Sequence, residues 1–322
     1  MERVVDPLVL QRRRETNVSF VVGFVVMVAL FAVLPFVAYP VFLMQVLCFA
    51  LFACAFNLLI GYVGLVSFGH ALYFGWASYL AAYAAKTWHL PPELAILTGT
   101  ATAAVLGIIA GGIAIRRQGI YFAMITLALA QMMYFFALRA PFTGGEDGIQ
   151  AVPRGRLFGY FDLSNEMTMY VFVLVVVLAA FLLIYRIINS PFGEVLKAIR
   201  ENEQRTISLG YNTDRYKLVV FVLSATLAGL AGSLKALVFQ LASLTDVHWT
   251  MSGDVLLMTL LGGLGTVFGP VVGAFAVIAM QNYLAPFGQW VLVIQGVIFV
   301  VCVLVFRRGI IGELAHFLRV EL

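Results

Sequence analysis

Hydrophobic positions in this chain fall in long unbroken runs, separated by short polar breaks. Ten runs predict helices near 19–39, 41–60, 67–85, 93–115, 120–138, 167–186, 216–240, 253–264, 268–285 and 288–306. A helix that crosses hydrocarbon needs roughly 20 apolar residues, because every backbone polar group must find its partner inside the segment. The run at 253–264 is too short for this and is expected to be tilted, broken or re-entrant. Three of the runs lie in a stretch from Thr16 to Ala85 that holds no Asp, Glu, Lys or Arg. The pattern predicts an all-α polytopic membrane protein with about ten transmembrane helices. The first run follows Arg12, Arg13 and Arg14, but it is too long for a cleaved signal peptide and leads straight into a second run.

Composition agrees, with 62% hydrophobic and 11% charged residues, against about 25% charged in soluble domains. Basic clusters at Arg12–Arg14, Arg116–Arg117, the 190–217 segment and Arg307–Arg308 all fall on one side when ten spans are counted, which predicts cytoplasmic N- and C-termini. The resulting layout is a cytoplasmic lead 1–18, a transmembrane domain 19–306 with a cytoplasmic loop 190–215 and an external loop 139–166, and a cytoplasmic tail 307–322. The net charge of +4 follows from this sidedness and gives no reason to expect nucleic acid as a partner.

Several chemistries are absent. Cys48, Cys54 and Cys302 all lie in spans, read as small packing residues, and have no metal-ligand spacing. No Gly-Lys dipeptide occurs, so no phosphate-cradling loop exists, and no nucleophile triad or carboxylate pair lies in the spans. A non-catalytic chain without metal or cofactor is expected. Ionisable groups that would carry a coupling ion are also scarce, with Glu93, Lys235 and Asp254 near span ends and His70 in the first turn of the third span. Energy for active transport must then come from another subunit.

The exception to this poverty of charge is Ser190 to Lys217, which holds nine of the 36 Asp, Glu, Lys and Arg residues. Ser190 reads as an N-cap, with Pro191 at the first helical position. At 100° per residue Phe192, Val195, Leu196, Ile199, Thr206 and Ile207 form an apolar stripe, with Glu194, Lys197, Glu201 and Arg205 opposite. Glu203 interrupts the stripe, so it needs a partner or a break in the helix. Two short helices bent near Arg200–Asn202, and stopped by Gly210, are predicted.

Four segments carry a family resemblance: "RENEQRTISLGYNTDRYKLVVFVLSATLAGLAG" (200–232), "NLLIGYVGLVSFGHALYFGWASYLAAY" (57–83), "GIYFAMITLALAQM" (119–132) and "LLMTLLGGLGTVFGPVVGA" (256–274). They resemble permeases of bacterial branched-chain amino acid ABC importers, in the same order over about four fifths of the chain. The long lead and the external loop resemble the M-type permease half. The resemblance implies a type II ABC importer-like fold in the inner membrane, a homologous second permease, two ATP-binding cassette ATPases and a periplasmic or surface solute-binding protein, with ATP bound by the partner subunits. It also implies that Arg200, Glu201, Glu203, Arg205 and Gly210 form the ATPase coupling segment. Glu203 and Gly210 are similar to the family's coupling-loop signature, whereas Gln204 and Arg205 replace its two alanines.

Further candidates follow. Gly61, Gly64, Ser67, Gly69 and His70, with Gly262, Gly265 and Gly269, form two glycine-rich turns that serve either as hinges along a pathway or as tight packing turns. Asn57, Thr126 and Gln131 are neutral polar groups for a small zwitterion or amide, or else helix glue. Glu146 and Asp147, in the external loop, either dock the binding protein or are solvated. Branched-chain amino acids are the expected cargo, with urea, short amides or aromatic acids as alternatives in the same family. A carrier working alone is the competing class.

Overall fold

The computed structural model describes residues 7–288, 290–305 and 309–318; Arg307 and Arg308 lie outside them. Among these residues the chain forms helices α1 (Pro7–Val33), α2 (Pro40–Val63), α3 (His70–Lys86), α4 (Pro92–Ala114), α5 (Ile120–Arg139), α6 (Glu166–Ile188), α7 (Pro191–Glu201), α8 (Glu203–Ser208), α9 (Thr213–Phe239), α10 (Trp249–Gly262), α11 (Gly269–Leu284), α12 (Trp290–Val305) and α13 (Gly309–Leu318). Every predicted apolar run has a helix. Five of them, α2, α4, α5, α6 and α9, are long and apolar enough to cross a membrane. The protein is thus an all-α, multi-pass membrane protein.

The boundaries move where glycine and proline intervene. The first run ends as a helix at Val33, because Pro35 forms a 3-10 turn and Pro40 opens α2. The third run starts at His70 instead of 67, since Gly64 leaves α2 with a left-handed φ of 79° and residues 64–67 are non-helical. At 14 residues α10 spans about 21 Å, well short of a hydrocarbon core, as the sequence predicted.

In lipid, helices gain nothing from burying apolar surface against each other, so close packing and hydrogen bonds must hold them together. Helix α9 packs against α2, α3 and α4, and it approaches α3 and α4 at glycine distance. A Cβ on Gly232 would overlap the Phe74 carbonyl oxygen of α3, and one on Gly229 would overlap Ala103 of α4. Gly99 of α4 in turn faces Ser233. Helix α2, apolar on all sides, is buried at every residue from Val46 to Val63. Helix α6 and the α10–α11 hairpin flank it. That hairpin closes through Gly262 against Gly269 and Gly273 against Met258, again with no room for a side chain.

The 139–166 segment is anchored at the far end of α9. Strands β1 (Ile149–Gln150) and β4 (Leu241–Ala242) pair antiparallel, and β2 (Arg156–Leu157) pairs with β3 (Phe161–Asp162). Arg154 donates to the carbonyls of Leu237 (3.3 Å) and Val238 (2.7 Å), capping the last turn of α9. Lys235 of α9 pairs at 2.6 Å with Asp246, and both are buried.

Gly232→Ala is expected to destabilise the purified protein by about 1–3 kcal/mol or more through overpacking. Gly253, in α10, has nothing within 4 Å of a built Cβ, so Gly253→Ala should be neutral or stabilising by up to about 1 kcal/mol. Thermal unfolding of both variants in detergent checks this pair of expectations.

Candidate functional site

The charged insert folds as two helices at the end of the bundle where α4 turns into α5. Ser190 caps α7, accepting from the Gly193 N–H at 3.4 Å, and Pro191 occupies the first position. Leu196 and Ile199 are buried beneath α7, while Glu194 and Lys197 pair at 3.0 Å on its exposed side. Asn202 is extended (φ −158°, ψ 100°), and its side chain accepts from the Arg205 N–H at 3.0 Å, so one residue ends α7 and caps α8. Gly210, at φ 90°, closes α8, with the Gly210 and Tyr211 N–H groups returning to Ile207 and Thr206. The bend resets the helical phase. Thr206 therefore remains buried, but Ile207 leaves the predicted stripe and is 47% exposed.

Glu203 points into the protein. One carboxylate oxygen accepts from Lys217 Nζ and from Thr213 Oγ1 (3.1 Å), both in the first turns of α9. The other accepts from Gln118 Nε2 at 3.0 Å, in the α4–α5 turn. Lys217 is almost completely buried, so the carboxylate is its counter-ion. Sequence reasoning anticipated a partner for Glu203 but did not single out Gln118, Thr213 or Lys217. A lone lysine at the entrance to an apolar run was the available signal.

Arg200, at the end of α7, reaches the two glycine turns. Its Nη1 donates to the Gly61 carbonyl, its aliphatic stem lies below Gly64, and its guanidinium lies against Gly265. The turns also bind each other through Asn57, whose Oδ1 accepts from the Gly265 N–H (3.0 Å) while its Nδ2 donates to the Thr266 carbonyl (2.8 Å). Gly265 takes a φ of 77°, and Gly61 has no space for a side chain beside Asn57. Arg200, Lys197, Glu201, Tyr62 and Gly265 line an open cavity of about 450 Å³. Arg205 is exposed on α8.

The other candidates separate by their bonding. Ser67 accepts from the Gly69 N–H (3.3 Å), and Gly69 packs on the Thr126 carbonyl. Thr126 accepts from the Phe68 N–H (3.2 Å) and donates to Ala123 (2.8 Å), so it joins α5 to the first glycine turn. His70 Nε2 lies 2.8 Å from Ser224 Oγ, which donates to the Ala55 carbonyl; the imidazole thus carries its proton on Nε2 and ties α3 to α9 and α2. Asn57 and Thr126 act as connections between elements. Gln131 has no hydrogen bond among the described residues. Gly262 and Gly269 serve the α10–α11 approach. Glu146 and Asp147 are exposed in a turn where Gly144, Gly145 and Gly148 all have positive φ, at the opposite end of α5 from the insert. Among the described residues no group of three or more His, Cys, Asp or Glu could hold a metal ion.

Residues 39–304 match the family described as the branched-chain amino acid transport system permease component. The chain is 25% identical to the Escherichia coli high-affinity branched-chain amino acid transport system permease protein LivM, over 79% of this chain and 65% of that protein. It is 26% identical to the Salmonella typhimurium LivM over the same shares. It is 28% identical to a probable LivH permease of Methanocaldococcus jannaschii, over 48% of this chain and 50% of the relative. The chain thus spans somewhat under two thirds of the length of the two enteric relatives. No solved structure matches it.

Removing one member of a buried ion pair costs about 3–5 kcal/mol, because the other charge is left uncompensated. Lys217→Met and Glu203→Gln should each destabilise the protein, and the double variant should be less destabilised than the sum of the two. A double-mutant cycle by thermal unfolding, with a coupling energy of about 0.5–3 kcal/mol expected, measures the contact; a coupling of zero would refute it.

Proposed function

Because the chain belongs to the family of branched-chain amino acid transport permease components, we propose that it is the M-type membrane subunit of an ATP-binding-cassette importer. It forms half of a path for branched-chain amino acids, with a homologous second permease as the other half, in a type II-like arrangement of about ten spans. Two separate ATPases bind and hydrolyse ATP, and this chain contributes no catalysis and holds no cofactor. The insert and both termini lie in the cytoplasm of a cell whose inner membrane holds the protein. A solute-binding protein docks on the opposite side, at the turn with Glu146 and Asp147.

The observation that carries this reading is the connectivity of the insert. Helix α8 and the turn after it present Ile207, Leu209 and Tyr211 outward, 47%, 68% and 43% exposed, while on the inward side Glu203 meets Lys217 at the foot of α9. Exposed apolar groups rimmed by polar ones suit contact with another protein. A push on α8 reaches α9 through the Glu203–Lys217 pair and the α4–α5 turn through Gln118. A push on α7 reaches both glycine turns through Arg200. Docking and transmission therefore fall to different residues. Arg205 and Glu201 belong to the docking side, while Arg200, Glu203 and Gly210 maintain the shape that transmits the movement.

In proteoliposomes holding both permeases and both ATPases, with binding protein outside, leucine uptake should require ATP. Uptake by this chain alone, indifferent to ATP, would instead establish a carrier. Leu209→Asp should abolish co-purification of the ATPases and leave membrane insertion intact. Glu203→Gln, combined with Lys217→Met to avoid a stranded charge, should retain the ATPases but lose the stimulation of hydrolysis by loaded binding protein. Loss of ATPase binding in that double variant would assign Glu203 to docking.

A further inference from the structure

The segment between α5 and α6 makes two turns of opposite character. The first, Thr143 to Gly148, reads TGGEDG, and its Glu146 and Asp147 are exposed, as suits a turn in water. The second is the tip of the β2–β3 hairpin, where Leu157 to Phe161 reads LFGYF. Arg156 and Asp162 stand opposite each other at its base, and Leu157 pairs with Phe161 beyond them. The Gly159 and Tyr160 N–H groups return to the Arg156 and Leu157 carbonyls and close the loop. Phe158, Tyr160 and Phe161 are 67%, 89% and 61% exposed. Phe158 also takes a positive φ of 51°, where bulky side chains are uncommon. Glycine or asparagine would sit there more easily, so local backbone preference does not explain the ring.

What the tip touches follows from where its base is fixed. A Cβ on Gly155, just before β2, would lie 3.2 Å from Cδ of Pro92, the first residue of α4. Leu163, just after β3, is fully buried, and Asn165 caps α6. The hairpin therefore stands at the ends of two helices long and apolar enough to cross a membrane. In their first turns the outward residues are apolar, with Leu94 and Leu97 on α4 and Met167 and Val171 on α6. Trp88, four residues before Pro92, is 54% exposed at the same end of the bundle. The tip lies three residues from Leu163, a reach of at most about 10 Å, against a headgroup layer about 5–8 Å deep. Aromatic rings collect at that depth because the ring finds apolar surroundings while a hydroxyl or indole N–H stays wet.

We propose that the β2–β3 hairpin is a lipid-binding foot, with Phe158, Tyr160 and Phe161 set into the headgroup layer of the adjacent leaflet. The apolar surface of α4 and α6 continues into the tip, while Arg156 and Asp162 remain in water at the base. The β1–β4 pairing and Arg154 already tie the same segment to α9. The segment that carries Glu146 and Asp147 is thus held by the bundle on one side and by the bilayer on the other. This assignment needs only the membrane-spanning fold and stands apart from the importer reading.

Spin labels measure the depth of the tip. Cys48, Cys54 and Cys302 are replaced by Ala, and Tyr160→Cys, Phe161→Cys and the controls Asp147→Cys and Val171→Cys are introduced singly and labelled with a nitroxide. The full chain, with any subunits that accompany it, is reconstituted in liposomes of phosphatidylethanolamine and phosphatidylglycerol. Dissolved oxygen concentrates in the bilayer and a polar nickel chelate stays in water. The ratio of their collision rates should be at least about threefold higher at Tyr160→Cys and Phe161→Cys than at Asp147→Cys, and nearer to Val171→Cys. The second tip position keeps the test valid if one variant fails to fold. A ratio at the tip equal to that at Asp147→Cys would overturn the foot. A tip label shielded from both reagents, or immobilised only when a solute-binding protein is added, would assign the hairpin to a protein partner and overturn it equally.

Discussion

Movement in this protein is constrained first by how closely α9 approaches its neighbours. With Gly229 against the Ala103 methyl and Gly232 against the Phe74 carbonyl, α9 has no room for a side chain at either contact. Such contacts replace the hydrophobic driving force that lipid removes. They also leave no slack, because a glycine contact cannot be re-formed after a small slide without a side chain striking backbone. Helix α9 therefore moves with α3 and α4 as one body, or these contacts break.

The insert bears on that body at a single charged contact. Glu203 lies on the inward side of α8 because Lys217, one turn into α9, is buried and needs a counter-ion. The pair is held further by Thr213 and Gln118, so the carboxylate joins three elements: α8, the start of α9 and the α4–α5 turn. Arg200 makes a second joint, to the turns at Gly61 and Gly265, which Asn57 already holds together. The charges of the insert thus divide between an outer set in solvent and three, Arg200, Glu203 and Lys217, that tie the insert to the bundle. At the other end of α9, Arg154 and the Lys235–Asp246 pair attach the external segment to the same helix. One rigid element thereby links the two ends of the molecule.

Much of this was legible in sequence where the governing physics is local. The ten apolar runs correspond to helices because length and hydropathy suffice to specify them. The Ser190 cap, Pro191, the bend near Asn202 and the stop at Gly210 are as expected, since caps and breaks depend on a few adjacent residues. Extrapolating the apolar stripe to Ile207 failed because the extended Asn202 shifts the helical phase. Starting the third helix at 67 failed because Gly64 permits a left-handed exit from α2 that hydropathy does not register. The anomaly of Glu203 was visible, whereas its partners were not.

By itself the sequence determined the class of protein, the positions of its apolar helices, the isolation of its charge in one insert and the family resemblance. Only the tertiary structure decided which polar groups are engaged. Asn57 and Thr266 are 209 residues apart in sequence and bonded in space, and Lys217 finds its counter-ion on another helix. Thr126 and Gln131, five residues apart on α5, are similar as sequence and opposite in circumstance, the first tied to a glycine turn and the second left open. The reason is geometric: hydropathy and capping are local properties of the chain, but the satisfaction of a polar group depends on what the fold places beside it.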